Sequence, residues 1–155
     1  MTVERARPWL ALSGGVGGAK LALGLAHVLE DPTRLMIAAN VGDDFEHLGL
    51  AICPDIDTLM YTLAGLANTE TGWGRAGETN TFMTALAEIG GETWFHLGDG
   101  DLATHVERTR CLRSGETLSA VTALLCARLG IVPVIVPMSD DQVRTIIETE
   151  SGDLG

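Results

Sequence analysis

The sequence predicts an α/β fold: a Rossmann-like parallel sheet with helices on both faces, ending in a β-hairpin. Strand-like and helix-like segments alternate along the 155 residues, and that order is typical of a parallel sheet with helical connections. Several strand-like segments are followed by glycine-rich or acidic residues, at the place where such sheets bind ligands. The length and a hydrophobic share of 46% suit one domain with a core.

The N-terminal half is expected to form two strand–helix units. Apolar runs predict strands at 9–12 and 34–40, and longer segments with helical periodicity predict helices at 21–29 and 55–66. In the second helix the apolar side chains on one face are Leu59, Met60, Leu63 and Leu66. Asp55 or Asp57 suits the N-cap of that helix, because a carboxylate there accepts unpaired backbone N–H groups.

The C-terminal half continues the alternation. Its sequence predicts helices at 81–89, 102–112 and 118–129, and strands at 93–97, 131–137 and 143–148. Gly90 and Gly130 end two of these helices. A turn at 151–153 after the last strand predicts the terminal hairpin. Residues 1–8 are assigned to an N-terminal extension and 9–155 to a single α/β domain.

The composition limits the classes of function. The net charge is -11, with 21 acidic residues against 10 basic ones, which argues against nucleic acid as a partner. A surplus of carboxylates fits a divalent metal. Three scattered cysteines predict reduced thiols in the cytoplasm. No apolar run has the roughly 20 residues that a membrane helix needs, and the first eight residues lack the apolar stretch of a secretory signal.

A glycine-rich segment follows the first predicted strand. It contains Gly14, Gly15, Gly17 and Gly18 and closes with Lys20, the only lysine of the chain. Such glycines let a backbone approach a ligand, and a helix start with a nearby lysine suits phosphate. The segment is neither a Walker A loop, which has Gly before Lys and Ser or Thr after it, nor a complete dinucleotide fingerprint. The alternative is a tight strand–helix turn without a ligand.

Acidic residues follow the second predicted strand. Asp43 and Asp44 suit a hard cation or a base, and the alternative is a solvated turn. Asp55 and Asp57 come soon afterwards, and four carboxylates are more than capping requires. With phosphate bound by the glycine segment, we expect Mg²⁺ to be shared between carboxylate and phosphate oxygens.

Three further segments combine charged residues with glycine or a helix start. The loop at 72–79 contains Trp73 and Arg75, and either packs over a ligand or lies on the surface. The segment at 96–105 contains two histidines and two aspartates; zinc is disfavoured there, and Asp99 or Asp101 as a helix N-cap is the simpler interpretation. Residues 137–141 form another acidic turn, in which Ser139 or Asp140 can act as a cap.

Together these motifs resemble one known family. The matching segments are SGGVGGAK at 13–20, NVGDD at 40–44, CPDIDTLMYTL at 53–63, GWG at 72–74, LGDGDLATH at 97–105 and PMSDD at 137–141. In this order they closely resemble the 2-phospho-L-lactate transferase (CofD/FbiA) family, from the glycine segment to the end of the chain.

The resemblance implies a transferase of coenzyme F-420 biosynthesis. Members of the family move a phospholactyl or phosphoenolpyruvyl group from a guanosine diphosphate-linked, GTP-derived donor to the deazaflavin Fo and release GMP. The Fo ribityl hydroxyl attacks the distal phosphorus, with Mg²⁺ assisting. This is an in-line displacement, in which a metal and fixed donors offset the charge on both phosphates. The implied partners are these small molecules and a second subunit in a homodimer, without nucleic acid or membrane.

The resemblance also assigns residues. Gly14, Gly15, Gly17, Gly18 and Lys20 are expected at the donor phosphates. Arg108 is added to them from its own position, because it lies one turn beyond His105 and could reach a ligand at this helix start. Asp44 and Asp57 are expected to be catalytic, as metal ligands or as groups that orient the hydroxyl. Asp57 and His96 are expected to contact Fo, although many members have Lys or Arg at the position of His96.

The sequence departs from the family in two respects. Gly100 stands where many members have Arg, so Arg108 or another group must replace that side chain. Family members are about twice as long, so the chain is expected to be truncated at its C-terminus, with reduced or absent activity on its own. The alternative functions are a non-catalytic nucleotide-binding or deazaflavin-binding module and a sugar-nucleotide-binding protein of related fold.

Overall fold

A computed structural model describes residues 7–70, 73–149 and 152–154. The strands are β1 (Trp9–Ser13), β2 (Leu35–Ala39), β3 (Phe45–His47), β4 (Leu50–Ile52), β5 (Val134–Pro137), β6 (Ile147–Thr149) and β7 (Gly152–Leu154). The helices are α1 (Gly15–Val28), α2 (Pro54–Leu63), α3 (Thr81–Glu88), α4 (Asp99–Arg113) and α5 (Leu118–Arg128), with a 3₁₀ turn at Pro32–Arg34. The predicted α/β class is confirmed.

A parallel sheet in the order β1-β2-β5 forms the centre of the described fold. Ser13 is paired with Ala39, and Ala39 with Pro137, so the three strands end side by side. The remaining strands form two antiparallel pairs, β3 with β4 and β6 with β7. The second pair is the predicted terminal hairpin. Because the parallel strands end together, the segments that follow them are brought to one edge of the sheet.

Helices cover one face of this sheet among the described residues. Its buried side chains, including Leu35 and Ile37, share a core with apolar residues of α1, α2, α4 and α5. Along each strand the alternate side chains are exposed, among them Leu10, Leu12, Met36 and Val134. A period of two places successive side chains on opposite faces, so this second face is apolar and uncovered within the described residues.

A smaller core lies beneath β3 and β4. Ile52, Met83 and Leu97 are buried there, and the partly buried Phe45 and Phe95 pack against them. This core attaches α3 and the start of α4 to the β3–β4 pair. It thereby fixes the region that follows β2.

Several predicted boundaries are wrong, each for a local reason. Helix α1 begins at Gly15, six residues before the prediction, because Gly18 packs directly on Ser13. The predicted strand at 93–97 does not form, because Phe95 and Leu97 pack into the smaller core and no strand pairs with this segment among the described residues. The predicted turn at 151–153 overlaps β7, and residue 151 lies outside the described part.

Candidate functional site

The β1–α1 connection is joined to the end of β2 by a buried carboxylate. The N–H of Gly15 donates to Asp55 Oδ1 at 2.5 Å, and Asn40 Nδ2 donates to Asp55 Oδ2 at 2.7 Å. Asp55 therefore does not cap its own helix α2, for which Cys53 is the N-cap residue without a side-chain bond. The carboxylate satisfies the start of α1 instead, where the N-terminal partial charge favours an anion.

The glycine segment is the first part of α1 rather than a loop. Gly14 is the N-cap, and Gly15 has a φ of 62°, which suits glycine. A Cβ on Gly18 would overlap Ser13, whereas one on Gly17 would meet nothing within 4 Å in the described part of the chain. Close packing thus accounts for Gly18 but not for Gly17. Lys20 is exposed in the second turn of the helix, beyond its start.

Asp44 is the most unusual carboxylate at this edge. Its Oδ1 atom is buried and has no hydrogen-bond partner among the described residues. Burial raises the pKa of Asp44 to about 6, although the Cys53 thiol and the charge of Arg108 act in the opposite direction. Asp43 next to it is held only by a 3.4 Å contact with Asn40. Asp44 is therefore a poorly solvated carboxylate with an unused oxygen, as expected of a base or a metal ligand.

Asp57 lies in a buried ion pair with Arg108. Both carboxylate oxygens accept from the guanidinium, with Arg108 Nη1 at 3.1 Å from Oδ2 and Nη2 bonded to Oδ1. Arg108 also contacts the Ala51 carbonyl at 3.3 Å. Burial tends to lower the pKa of Arg108, but Asp57 raises it above its usual value, so the guanidinium stays charged.

The fully buried position of Arg108 bears on its predicted role. Its side chain is 0% exposed and lies in the third turn of α4, rather than at the helix start. The geometry makes Arg108 a positioning residue for Asp57, and the prediction that Arg108 contacts donor phosphate finds no support in it. Asp57 in turn is held by Arg108 instead of capping α2.

A second chain of contacts extends from Asp57 to the start of α4. His105 Nδ1 is 3.6 Å from Asp57 Oδ2, and His105 Nε2 is 3.2 Å from Asp101 Oδ2. Tyr61 donates to Asp101 Oδ1 at 2.6 Å. Burial tends to raise the pKa of Asp101, but His105 and Tyr61 hold it below its usual value. The sequence analysis missed this network, although the four-residue spacing of Asp101 and His105 was a signal for it.

Asp57, Asp101 and His105 also have the spacing of a metal site. One ligand atom of each lies within 4.8 Å of the others. However, Arg108 already provides a positive charge beside Asp57, and a cation there would meet electrostatic repulsion. We interpret this network as the support of Asp57.

The starts of α3 and α4, next to this network, are each capped by a side chain from outside the helix. Asp99 accepts from the Thr81 and Phe82 N–H groups, both at 3.0 Å, so it caps α3 and not its own helix α4. Glu78 accepts from the N–H groups of Gly100 and Asp101 and completes the start of α4. The predicted caps on α4 are therefore wrong, because Glu78 arrives there from the preceding loop.

His96 and Gly100 lie at the periphery of this region. His96 is exposed, and its Nε2 is 2.8 Å from Asn80 Oδ1. A Cβ on Gly100 would lie 2.9 Å from Glu78 Oε1 and 3.3 Å from Arg75 Nε. The cation beside Gly100 is thus Arg75 and not Arg108.

The chain after β5 returns over the edge of the sheet. Asp140 accepts from the Ser119 N–H at 2.7 Å, near the start of α5, and Ser139 accepts from the Asp141 N–H at 3.0 Å. The Thr145 N–H donates to the Gly42 carbonyl at 2.7 Å. These bonds hold the segment over Asp44, which lines a cavity of about 290 Å³ together with Asp140 and Arg144.

These observations define an α/β protein with a candidate ligand site at the carboxyl ends of parallel strands. The model of the 2-phospho-L-lactate transferase CofD family matches residues 10–154. The chain belongs to this family.

Relatives support that assignment over most of the chain. It is 47% identical over 143 residues to the phosphoenolpyruvate transferase of Streptomyces griseus, covering 92% of this chain and 45% of that protein. It is 44% identical over 153 residues to the phosphoenolpyruvate transferase of Thermobifida fusca, covering 92% and 48%. The chain therefore spans less than half the length of these relatives.

A solved structure supports the fold. The crystal structure of protein BH3568 from Bacillus halodurans aligns with a TM-score of 0.54 at 16% identity, covering 96% of this chain and 45% of that one. Within the described residues, no helix combines the length and apolar character required to cross a bilayer.

Proposed function

We propose that this chain contributes the site of a cytoplasmic transferase in coenzyme F-420 biosynthesis. The transferase moves a phosphoenolpyruvyl or phospholactyl group from a guanosine diphosphate-linked donor to the ribityl hydroxyl of Fo and releases GMP. One observation carries the proposal: Asp44 presents a buried, unpartnered oxygen where the parallel strands end, next to a cavity. The family membership supports it.

Mg²⁺ fits this site through Asp44. An unpartnered carboxylate oxygen in a poorly solvated position is a suitable ligand for a hard cation, which offsets the cost of burying the charge. Asp57 fits less directly, because both of its oxygens already accept from Arg108. Bound there with the donor, Mg²⁺ would supply charge neutralisation at the phosphates. Asp44 is therefore the proposed ligand, and Asp57, which was expected to be a second ligand, would act on the site through its nearby negative charge.

The residues of the chain have separate tasks in this proposal. The donor phosphates are proposed to bind at the start of α1, beside the Gly15 N–H that Asp55 already accepts, and Lys20 adds a positive charge on the same helix. Asp44 orients the acceptor hydroxyl and accepts its proton when the oxygen attacks phosphorus. Arg108 and His105 hold Asp57 in position. His96 is proposed as a peripheral contact to Fo.

The second candidate is a module that binds Fo or the nucleotide without transferring a group. One observation favours it: both oxygens of Asp57, a predicted catalytic carboxylate, already accept from Arg108. Under the first candidate, the transferase, the second subunit of a homodimer would complete the site.

The experiment measures GMP release by the isolated chain. Fo, enolpyruvyl-diphospho-guanosine and Mg²⁺ are supplied, and Asp44→Asn is compared with the unchanged chain. Release that depends on Fo and is lost in Asp44→Asn supports the transferase. Binding of one or both ligands without release supports the binding module, and binding of neither ligand contradicts both candidates.

A further inference from the structure

One face of the parallel sheet is apolar and uncovered in the part of the chain that the structure describes. Its side chains form two cross-strand rows on β1, β2 and β5, which we call the open sheet face: Leu10, Met36 and Val134, and Leu12, Ala38 and Val136. Leu10 is 65% exposed and Leu12 is 69% exposed. Parallel sheets in folded proteins are normally covered on both faces, so the composition of this face is that of a buried surface.

Strand β1 is an edge strand among the described residues, although its sequence is that of a central strand. It pairs with β2 on one side and with no described strand on the other. Residues 9–13 contain neither a charged residue nor a proline, which are features that protect natural edge strands from further pairing. The edge of β1 is therefore suited to accept another strand.

The opposite edge of the sheet, at β5, is protected. The Met138 N–H donates to the Ala39 carbonyl at 2.9 Å, towards β2. Successive N–H groups of a strand point to opposite sides, so position 137 faces the free edge of β5. Pro137 stands there and has no N–H to donate. Of the two edges, that of β1 is the one open to pairing.

The order of the strands explains why the described helices leave the open sheet face uncovered. Both crossovers run in the same direction across the sheet, from β1 to β2 and from β2 to β5. Crossovers between parallel strands are almost always right-handed, so connections that run in one direction place their helices on one face. Helices on the open sheet face must therefore belong to connections that run the other way, to strands beyond the free edge of β1.

A second copy of this chain does not satisfy both features. Two β1 edges paired across a two-fold axis would extend the sheet and leave the open sheet face exposed. Two open sheet faces stacked on each other would cover the apolar rows and leave both β1 edges unpaired. A strand with an attached amphipathic helix satisfies both, because the strand pairs with β1 while the helix packs on the face.

The relatives contain a source for such a unit. The match covers 45% of the Streptomyces griseus transferase and 48% of the Thermobifida fusca transferase, so more than half of each relative lies outside it. We propose that the free edge of β1 and the open sheet face together dock a strand–helix segment equivalent to this unmatched part, with its strand parallel to β1. The docking surface follows from strand order and exposure, and it does not depend on the proposed reaction.

The experiment produces the full chain, carrying an affinity tag, together with the unmatched part of the Streptomyces griseus transferase as a separate untagged polypeptide. We expect the two to co-purify in equal amounts. Leu12→Lys places a charge in the apolar contact, so the retained second polypeptide should fall at least about 10-fold. Ile89→Lys is the matched control, because Ile89 is 83% exposed at the end of α3, away from the sheet, and it should leave retention unchanged.

A second readout uses the unchanged chain and needs no substitution. The Ser13 carbonyl accepts from the Asn40 N–H at 2.9 Å, so Ser13 faces β2. By alternation the N–H groups of Leu10 and Leu12 face the free edge. Docking of a parallel strand should slow hydrogen exchange of these two amides at least about 10-fold, and more than that of the Ser13 amide, as measured by NMR.

Three outcomes would overturn the proposal. The first is that the second polypeptide does not co-purify with a chain that circular dichroism shows to be folded. The second is that it co-purifies but leaves the exchange of the Leu10 and Leu12 amides unchanged, which would place the contact elsewhere. The third is that the chain alone forms a dimer that Leu12→Lys dissociates, as measured by light scattering, which would make a second copy the occupant. If Leu12→Lys does not fold, the exchange of the two amides in the unchanged chain decides.

Discussion

Removing Arg108 should destabilise the fold strongly, because Asp57 would then be a buried carboxylate without a counterion. Asp57 is 5% exposed and Arg108 is 0% exposed. Breaking a buried ion pair by removing one partner typically costs about 3–5 kcal/mol. A domain of this size has a free energy of unfolding of about 5–15 kcal/mol. We therefore expect Arg108→Met to lose a large part of its stability, measured by urea denaturation at pH 7.

An exposed pair on the same helix provides the matched control. Arg110 contacts Glu107 at 2.7 Å but is 62% exposed, so water and salt screen the pair. Arg110→Met is expected to change the free energy of unfolding by less than about 1 kcal/mol. Adding Asp57→Leu to Arg108→Met removes the uncompensated charge and should recover part of the loss.

Two outcomes would contradict this reasoning. A loss below about 1 kcal/mol in Arg108→Met would mean that the pair is solvated and does not hold Asp57. Unchanged stability together with weaker guanosine diphosphate binding would restore Arg108 as a phosphate contact. The double-mutant cycle gives the coupling energy between the two residues directly.

Three other predictions follow from single positions. Gly18→Ala should lower the free energy of unfolding by about 1–3 kcal/mol, because its Cβ would lie 3.1 Å from Ser13 Cα. Gly17→Ala has open space around it and should leave the free energy of unfolding unchanged or raise it, as measured by denaturation curves. Asp44→Asn should abolish GMP release yet raise the melting temperature at pH 8, because the charged carboxylate is buried in the unchanged chain. Burial raises the pKa of Asp44 to about 6, so the difference in melting temperature should shrink as the pH falls towards 4, where the native carboxyl is protonated. A difference in melting temperature that does not depend on pH would refute this reasoning. Lys20→Ala should weaken binding of the donor while sparing Fo, measured by calorimetry, and loss of Fo binding would show that the two ligands are placed wrongly.

The sequence predicted the elements that depend on local patterning. Strands β1, β2 and β5 follow from apolar runs, and helices α2 to α5 follow from periodic apolar positions. The predicted strand at 93–97 failed because a strand needs a partner, and no described strand pairs with this segment, whose Phe95 and Leu97 lie in the smaller core. The start of α1 was misplaced because glycine has a low intrinsic helix propensity, which close packing on Ser13 overrides.

The candidate site was predictable in its location more than in its contacts. Glycine and acidic segments that follow parallel strands must meet at one edge, so Asp44 could be placed near the glycine segment from the sequence. The exposure of Trp94 was not visible from the sequence, because only the fold shows that its ring stays exposed while its neighbours contact it.

By itself the sequence determined the α/β class, the family and the edge of the sheet where ligands are expected. The tertiary structure decided which charges pair. Asp57 and Arg108 are 51 residues apart, and Gly15 and Asp55 are 40 apart, so neither contact can be derived from local spacing. These pairs form because the packing of α4 and α1 against α2 buries the groups together, and a buried charge or N–H group requires a partner.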